Sequence, residues 1–162
     1  MTPTPAHTHT PTPVPDVLQL TSFSGARNPR ISDDGSVLTY SVGVTSAYLA
    51  TTDGRNNRKL TDGCRSPRPS ADGNRVVMEC AANLTGDNAD GNREIVLLDR
   101  IDFVPITRSP NTVFNHSTGI SADGRVVAFS SDGNYTGANV DGSLEIFLWR
   151  EGQALQQVRR RK

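Results

Sequence analysis

The sequence predicts an all-β protein made of three similar units, each with four short antiparallel strands. Residues 70–98 and 121–149 align without a gap at an offset of 51, with fourteen identities in twenty-nine positions. A third copy lies upstream at an offset of 38, where residues 28–42 match residues 66–80. Short β-branched and aromatic runs separate the turns, and no run has helical periodicity. This pattern is typical of the blades of a β-propeller.

Each unit repeats the same order of elements. A short segment ends in a Ser-x-Asp-Gly turn, which favours a tight hairpin because Gly accepts positive φ and Asp bonds its own backbone. A strand follows, then a loop, a further strand and a last short strand. The expected strands are 37–42, 48–52 and 59–61, then 76–80, 94–98 and 105–107, then 126–130, 144–149 and 155–158. Residues 18–20 are expected to add one outer strand before the first unit.

The chain divides into a spacer, a repeat region and a tail. Residues 1–16 are rich in Thr and Pro and are expected to be disordered, because proline fixes φ and has no amide donor. His7 and His9 are interpreted as spacer residues and not as metal ligands. Residues 159–162 form a basic tail, interpreted as solvated. The repeat region is 17–158, with units at about 22–61, 62–107 and 108–158.

The repeated motifs resemble the WD40-like repeat of TolB-like β-propellers. They are Leu-Thr, then Pro-x-x-Ser-x-Asp-Gly, then Val-Val-Ala-Phe-Ser-Ser, and then Asn-x-x-Gly-x-Asn-x-Asp-Gly-x-x-Glu-Ile-Phe-Leu. The resemblance covers residues 18–158. Such propellers close with about six to eight blades. Three blades therefore imply an open segment, part of a longer chain, or a half-propeller completed by self-association as a homo-oligomer.

The resemblance also implies a function. We expect a non-enzymatic scaffold for protein–protein interaction, located in the periplasm or outside the cell. The first residues lack the basic and apolar regions of a signal peptide, so an export signal is expected upstream of Met1. The alternatives are a substrate-gating propeller of a hydrolase or peptidase whose catalytic domain is encoded elsewhere, and a calcium-stabilised interaction module.

The charge balance excludes two partner classes. The chain has 17 basic and 17 acidic residues, so its formal net charge is zero. Nucleic acids and anionic membranes attract proteins first through excess Lys and Arg, so neither is expected as a partner. No apolar run approaches the roughly eighteen residues that span a bilayer, so no membrane insertion is expected.

Two copies of one polar loop partly match a calcium-binding pattern, in which alternate oxygen side chains and a terminal carboxylate converge on the ion. The first position, where a carboxylate is expected, is Gly86 in one copy and Gly137 in the other. We interpret the loops mainly as connectors in which Asp-Gly makes the turn, and expect no cofactor. The candidate ligands are Asn88, Asp90 and Glu94, and Asn139, Asp141 and Glu145.

Cys64 and Cys80 are predicted to face each other. If the Asp72-Gly73 turn centres the hairpin, residues whose numbers add to about 145 are cross-strand neighbours. A disulfide in an oxidising compartment and a pair of buried thiols both fit this placement.

No catalytic residue is assigned. His116 is the one histidine outside the spacer, and the sequence has no G-x-S-x-G elbow, H-E-x-x-H pair or phosphate-binding Gly loop. Three N-x-[ST] triplets, at Asn83, Asn115 and Asn134, would carry sugars only in a glycosylating secretory route. We therefore expect no enzymatic activity.

Two equivalent arginines are candidates for partner recognition. Arg30 and Arg68 occupy the same position in the first two units, on the side expected to face the propeller channel. The third unit has Gly119 at this position, which breaks the pattern.

Overall fold

The computed structural model describes residues 17–22 and 24–158 as an all-β fold. Within these ranges twelve strands form three four-stranded sheets, and neighbouring strands within each sheet are antiparallel and follow chain order. The predicted spacer 1–16, with His7 and His9, and the basic tail 159–162 lie outside the described residues. The first sheet contains β1 (Ala26–Ile31), β2 (Val37–Val42), β3 (Ser46–Thr51) and β4 (Arg58–Asp62). The second contains β5 (Cys64–Pro69), β6 (Arg75–Cys80), β7 (Glu94–Asp99) and β8 (Asp102–Pro105). The third contains β9 (Asn115–Ile120), β10 (Val126–Ser131), β11 (Glu145–Arg150) and β12 (Gln156–Gln157).

The Ser-x-Asp-Gly turn joins the first two strands of every sheet, as predicted. In the second sheet the Ser70 hydroxyl donates to Asp72 Oδ1 at 2.7 Å, and the Gly73 amide donates to the Ser70 carbonyl at 3.1 Å. The same serine–aspartate bond is 2.6 Å long in the first and third sheets. Hydrogen bonds from Ser70 and then Asn74 lower the pKa of Asp72 to about 2. The ionised carboxylate therefore holds the hairpin closed.

The second sheet is buried on both faces. One face carries Met78 and packs on Ala47 of the first sheet in a cluster with Leu49 and Leu60. The other face packs on the third sheet. The residues in that contact are Val77, Ile95 and Leu97 on one side and Val127, Phe129 and Phe147 on the other. Alternation along each strand sends successive side chains to opposite faces, so one sheet contributes to two cores.

The turns of neighbouring sheets also contact each other. The Asp34 amide donates to the Ala71 carbonyl at 3.1 Å, and the Ala71 amide donates to the Ala122 carbonyl at 2.9 Å. Arg75 bridges Asp99 of its own sheet and Glu151 of the third, at 2.7 and 3.0 Å. These bonds fix the stacking of the sheets on the side where the turns lie.

The strand predicted at residues 18–20 is absent, and that prediction was wrong. The segment 17–22 lies instead over the outer face of the first sheet, where Leu18 and Leu20 line a depression with Tyr40. The Asn57 side chain donates to the Leu20 carbonyl at 3.2 Å. The alternating Leu-Gln-Leu pattern reflects two leucines placed along a sheet face, Leu20 partly buried and Leu18 still exposed, and not pairing along a sheet edge.

The last strand of the second sheet also differs from the prediction. Instead of residues 105–107 it is Asp102–Pro105, because a two-residue turn at Arg100 and Ile101 follows β7 directly. Most such hairpins place Gly or Asn where the turn requires a positive φ. Here Arg100 itself adopts the positive φ, at 59°. The predicted last strand of the third sheet shortens from 155–158 to Gln156–Gln157.

Cys64 and Cys80 are cross-strand partners on β5 and β6, and a disulfide bond joins them. Both side chains are fully buried in the cluster between the first two sheets. Within the described part of the chain there is no helix with the length and apolar character needed to cross a bilayer.

Candidate protein-interaction surface

The first strands of the three sheets, β1, β5 and β9, lie side by side and carry the same irregularity. The pairing register with the next strand shifts by one residue between Arg27 and Arg30 on β1, and between Arg65 and Arg68 on β5. A similar shift occurs on β9, between His116 and Gly119. Asn28 and Ser66 within the first two bulges both have a φ of 54°. A β-bulge inserts one residue and re-aims the side chains around it.

The bulge places both arginines of a strand on the same face. Arg27 and Arg30 oppose Ser41 and Thr39, which are two residues apart and so share one face of β2. That face contacts the second sheet, since the Thr39 hydroxyl donates to the Pro67 carbonyl at 2.8 Å. Without the bulge, residues three apart would point to opposite faces.

Arg65 and Arg68 repeat this arrangement one sheet further along. They oppose Glu79 and Val77, and Val77 belongs to the core shared with the third sheet. Arg65 Nε forms an ion pair with the buried Glu79 carboxylate at 2.8 Å. The four arginines therefore form an inner-strand surface, defined as Arg27, Arg30, Arg65 and Arg68.

The two arginines singled out from the sequence lie together in the structure. A depression of about 170 Å³ between β1 and β5 is lined by Arg30, Arg68 and the bulge residues Asn28 and Ser66. Burial lowers the pKa of Arg68, and the nearby Arg30 charge lowers it further. Among residues 17–22 and 24–158, the ion pairs do not include Arg27, Arg30 or Arg68. Glu79, which pairs with Arg65, is the carboxylate that acts on Arg68, so the four arginines outnumber the carboxylates acting on them, a setting that favours an anionic ligand group.

A second, larger depression lies between the second and third sheets. This inner groove has a volume of about 350 Å³. The residues that line it include Arg65, Asn92, Arg93, Val113, Phe114 and His116. Phe114 is exposed over 66% of its surface.

A buried polar network supports one wall of the inner groove. The Glu94 carboxylate accepts hydrogen bonds from the Ser109 amide at 2.7 Å and the Ser109 hydroxyl at 2.8 Å. It also accepts from the Thr107 hydroxyl and from Asn115 Nδ2. Asn115 Oδ1 accepts from the Tyr135 hydroxyl at 2.7 Å, and burial raises the pKa of Tyr135. The network ties the segment before β9 to the second sheet.

Asn92 connects this network to the inner groove. Its Nδ2 lies close to three acceptors, the Ser109 carbonyl at 2.8 Å, the Pro110 carbonyl at 3.1 Å and the Ser109 hydroxyl at 3.2 Å. These contacts fix the orientation of the amide. Asn92 Oδ1 is buried and has no hydrogen-bond partner among the described residues.

The calcium candidates of the first loop are engaged in internal hydrogen bonds. Asn88 Nδ2 donates to the Asn92 carbonyl at 2.9 Å, and the Asn88 amide donates to Asn83 Oδ1 at 2.9 Å. The Glu94 carboxylate belongs to the buried network. Asp90 Oδ1 lies 3.5 Å from the Asn92 amide in the loop turn. Asn88 and Asp90 are therefore brought into one turn, while Glu94 points into the contact between sheets.

The second loop closes in the same way. The Asn139 amide donates to Asn134 Oδ1 at 2.9 Å, and Asn139 Nδ2 donates to the Ser143 carbonyl at 2.8 Å. The Ser143 hydroxyl lies 2.9 Å from Asp141 and 3.3 Å from Glu145. Among the residues that the structure describes, no three Asp, Glu, His or Cys side chains converge as metal ligands. In the second loop the Ser143 hydroxyl thus lies against both candidate carboxylates, whereas Asn88 Oδ1 in the first loop is buried without a hydrogen-bond partner among the described residues.

His116 and Asn115 have structural contacts. The Ser130 hydroxyl donates to the His116 carbonyl at 3.0 Å and lies 3.4 Å from His116 Nδ1. Asn115 is buried, and its Nδ2 donates to the Arg93 carbonyl at 2.9 Å, so its amide is not available for a sugar.

Sequence reasoning did not identify Arg27, Arg65 and Arg93, nor Phe114 and Asn92. One signal was present for the first two, because Arg27 and Arg65 are related by the same offset of 38 as Arg30 and Arg68. The other three come from two segments that meet only in the folded structure.

The sheets are similar to those of solved β-propellers. TolB from Acinetobacter baumannii matches with a TM-score of 0.60 and 17% identity, over 85% of this chain and 33% of that chain. The putative TolB from Agrobacterium tumefaciens gives 0.62 and 20%, over 85% and 50%. The β-propeller domain of the trilobed protease from Pyrococcus furiosus gives 0.60 and 13%, over 85% and 43%. No protein-family model and no curated protein matches the sequence.

These similarities confirm the predicted architecture. The chain has a TolB-like β-propeller fold, present as three blades that do not close. It spans between a third and a half of the length of these three structures.

Proposed function

We propose that the chain is a non-enzymatic propeller scaffold that binds a protein partner through its inner-strand surface. The observation that carries this proposal is the position of Arg30 and Arg68 in one depression, where neither forms an ion pair with another described residue. Unpaired guanidinium groups are strong donors for carboxylates and are enriched at the centres of protein interfaces. The rigid sheets hold these groups in place, as binding surfaces require.

We propose a location outside the cytoplasm, in the periplasm or outside the cell. The buried disulfide supports this location, because such bonds persist in oxidising compartments. The similarity to two TolB structures concerns the fold, and agrees with the location expected from the sequence.

Site-specific photo-crosslinking tests the scaffold. Val44 is 64% exposed and lines a depression with Arg27 and Arg65, so a benzoylphenylalanine there would contact a bound partner. We expect protein adducts from an envelope extract at this position, and their loss in the Arg30→Gln/Arg68→Gln variant. The matched control places the same group at Ile101, 84% exposed in the turn before β8. Equal adducts at both positions, or adducts that survive the double substitution, would contradict the proposal.

One specific observation favours the alternative of a substrate-gating propeller: the similarity to the propeller domain of the trilobed protease. In that role the same surface would contact a substrate chain. Mass spectrometry of the adducts distinguishes the two, because a gating propeller would be recovered with a hydrolase subunit.

We propose that the scaffold needs no cofactor. The Glu94 carboxylate already accepts hydrogen bonds from Ser109, so calcium at this carboxylate would compete with bonds that stabilise the fold. We therefore expect thermal melting with EDTA and with millimolar calcium to give the same midpoint. A midpoint that rises with calcium would favour the calcium-stabilised alternative.

A further inference from the structure

We propose that the inner groove between the second and third blades binds a short peptide segment that carries a carboxylate next to an apolar side chain. The inference rests on the proposed function, because it identifies the chemistry of the partner segment. It concerns a different depression from the one formed by Arg30 and Arg68, and so can be tested separately.

The charges of the inner groove favour a carboxylate. Arg93 is exposed and lines the groove opposite Arg65 and His116. Arg65 donates through its Nε to Glu79, and the two terminal nitrogens are further donors of the planar guanidinium. A planar guanidinium matches a carboxylate through two parallel hydrogen bonds.

The apolar part of the groove is a single exposed aromatic ring and its neighbour. Phe114 is 66% exposed and lies beside Val113 at the rim. The Phe114 amide donates to Asp132 Oδ1 at 2.8 Å, so its backbone is held while its ring faces outward. Aromatic rings in this setting are typical anchors for an apolar side chain of a partner.

The buried side chain of Asn92 distinguishes a peptide ligand from a simple anion. Asn92 is more than nine-tenths buried, its Nδ2 is already used, and its Oδ1 has no partner among the described residues. A buried acceptor without a donor costs free energy, so a ligand that brings an N–H group is favoured. Inorganic phosphate brings charge and an O–H group but no apolar group, whereas a peptide supplies carboxylate, N–H and apolar groups together.

Fluorescence anisotropy with the full chain tests the inference. The probe is a fluorescein-labelled peptide, Gly-Gly-Asp-Phe-Gly-amide, compared with versions that carry Asn in place of Asp, or Ala in place of Phe. We expect saturable binding of the Asp-Phe peptide and an affinity about tenfold lower for each altered peptide, the usual effect of losing one charged hydrogen bond or one buried ring.

Two substitutions and two matched controls locate the binding. Arg93→Gln and Phe114→Ala change exposed side chains, so both variants should fold, and each should weaken binding by about tenfold. Arg58→Gln, on the outer strand of the first sheet, and Ile101→Ala, in an exposed turn, should leave binding unchanged.

Several outcomes would overturn the inference: no saturable binding, equal binding of the Asn-Phe peptide, competition by inorganic phosphate alone, or no effect of Arg93→Gln and Phe114→Ala. Crosslinking at Val44 that remains dependent on Arg30 and Arg68 would then leave the scaffold proposal standing. Absence of Val44 adducts in the protein with Arg30 and Arg68 intact, together with saturable peptide binding, would contradict the scaffold proposal and not the peptide site.

Discussion

The disulfide between Cys64 and Cys80 closes a loop with a sequence separation of 16, in the hairpin of the middle sheet. A cross-link over about fifteen residues stabilises a fold by roughly 3 kcal/mol, mainly by restricting the unfolded chain. We therefore expect the reduced protein to unfold at a lower urea concentration, with a free energy of unfolding smaller by about 3 kcal/mol.

Urea unfolding followed with and without a phosphine reductant measures this difference. The Cys64→Ala/Cys80→Ala variant is the control, because its unfolding should not respond to the reductant. Two free thiols detected in oxidised protein, or identical midpoints for both forms, would show that the pair is not a stabilising bond.

Asp72 gives the fold a predictable response to acid. Its pKa in the folded protein is about 2, below the ordinary value of 3.8, because Ser70 and Asn74 donate hydrogen bonds to the ionised carboxylate. A lowered folded-state pKa contributes stability that is present above the unfolded pKa and is lost as pH falls through the folded pKa. The free energy of unfolding should therefore decrease between about pH 4 and pH 2.

The Asp72→Asn variant checks this response. Asparagine can still accept from Ser70 but gains no proton, so the decrease should be shallower than in the wild type. Urea unfolding at several pH values in this range gives both slopes. Equal slopes would mean that Asp72 is not a source of the acid response.

The hairpin turns join neighbouring blades through the turn glycine. Gly73 has a φ of 69°, and a Cβ there would lie 2.8 Å from the Val37 Cβ of the first sheet. Gly35, at the same turn position in the first sheet, has a φ of 71° and nothing within 4 Å. The two positions share the backbone strain and differ only in the contact with a neighbouring sheet.

Substituting these glycines separates strain from packing. Gly35→Ala should cost about 1 kcal/mol from the left-handed conformation alone. Gly73→Ala should cost about 3 kcal/mol, since overpacking against Val37 adds to the same strain. Chemical denaturation of both variants gives the difference. Equal losses would indicate that the blades do not pack through this turn.

The elements of the blades were predictable because their signals are local. The Ser-x-Asp-Gly turns fix the hairpins near the turn, where Pro69 lies opposite Val76, and the bulge before Arg68 shifts the register by one residue and brings Cys64 opposite Cys80. The prediction of a strand at 18–20 was wrong because leucines that cover a sheet face and leucines that form a strand give the same alternation. The turn at Arg100 was not predicted, because it lacks the usual turn residues.

The candidate site was only partly predictable, for a physical reason. Arg30 and Arg68 followed from the repeat, but the β-bulge that places a second arginine of each strand on the same face is not marked in the sequence. The inner groove combines segments around residues 65, 92 and 114, which approach one another only when two blades stack. Proximity of this kind is a property of the assembled sheets and not of any one strand.

The two outer sheets of the molecule differ in how their free faces are covered. On the first sheet, Leu18 and Leu20 lie over Tyr40, which is only 2% exposed. On the third sheet, Ala128, Ile146 and Leu148 correspond by the offset of 51 to Val77, Ile95 and Leu97, all buried in the middle blade. Ile146 is 49% exposed. In the middle sheet this face packs against the third sheet. The equivalent face of the third sheet is uncovered within the described residues.

This difference predicts a closed dimer of the 162-residue chain and not an open head-to-tail series. A head-to-tail contact would have to displace Leu18 and Leu20 from the first sheet, whereas two third-sheet faces can pack on each other directly, as isologous interfaces do. Sedimentation velocity should show a concentration-dependent dimer, and Ile146→Glu should return it to monomer, because a charge buried between the sheets is costly. Ile101→Glu, at an 84% exposed turn position, is the matched control and should leave the dimer intact. A monomer at all concentrations, or species larger than a dimer, would contradict this arrangement.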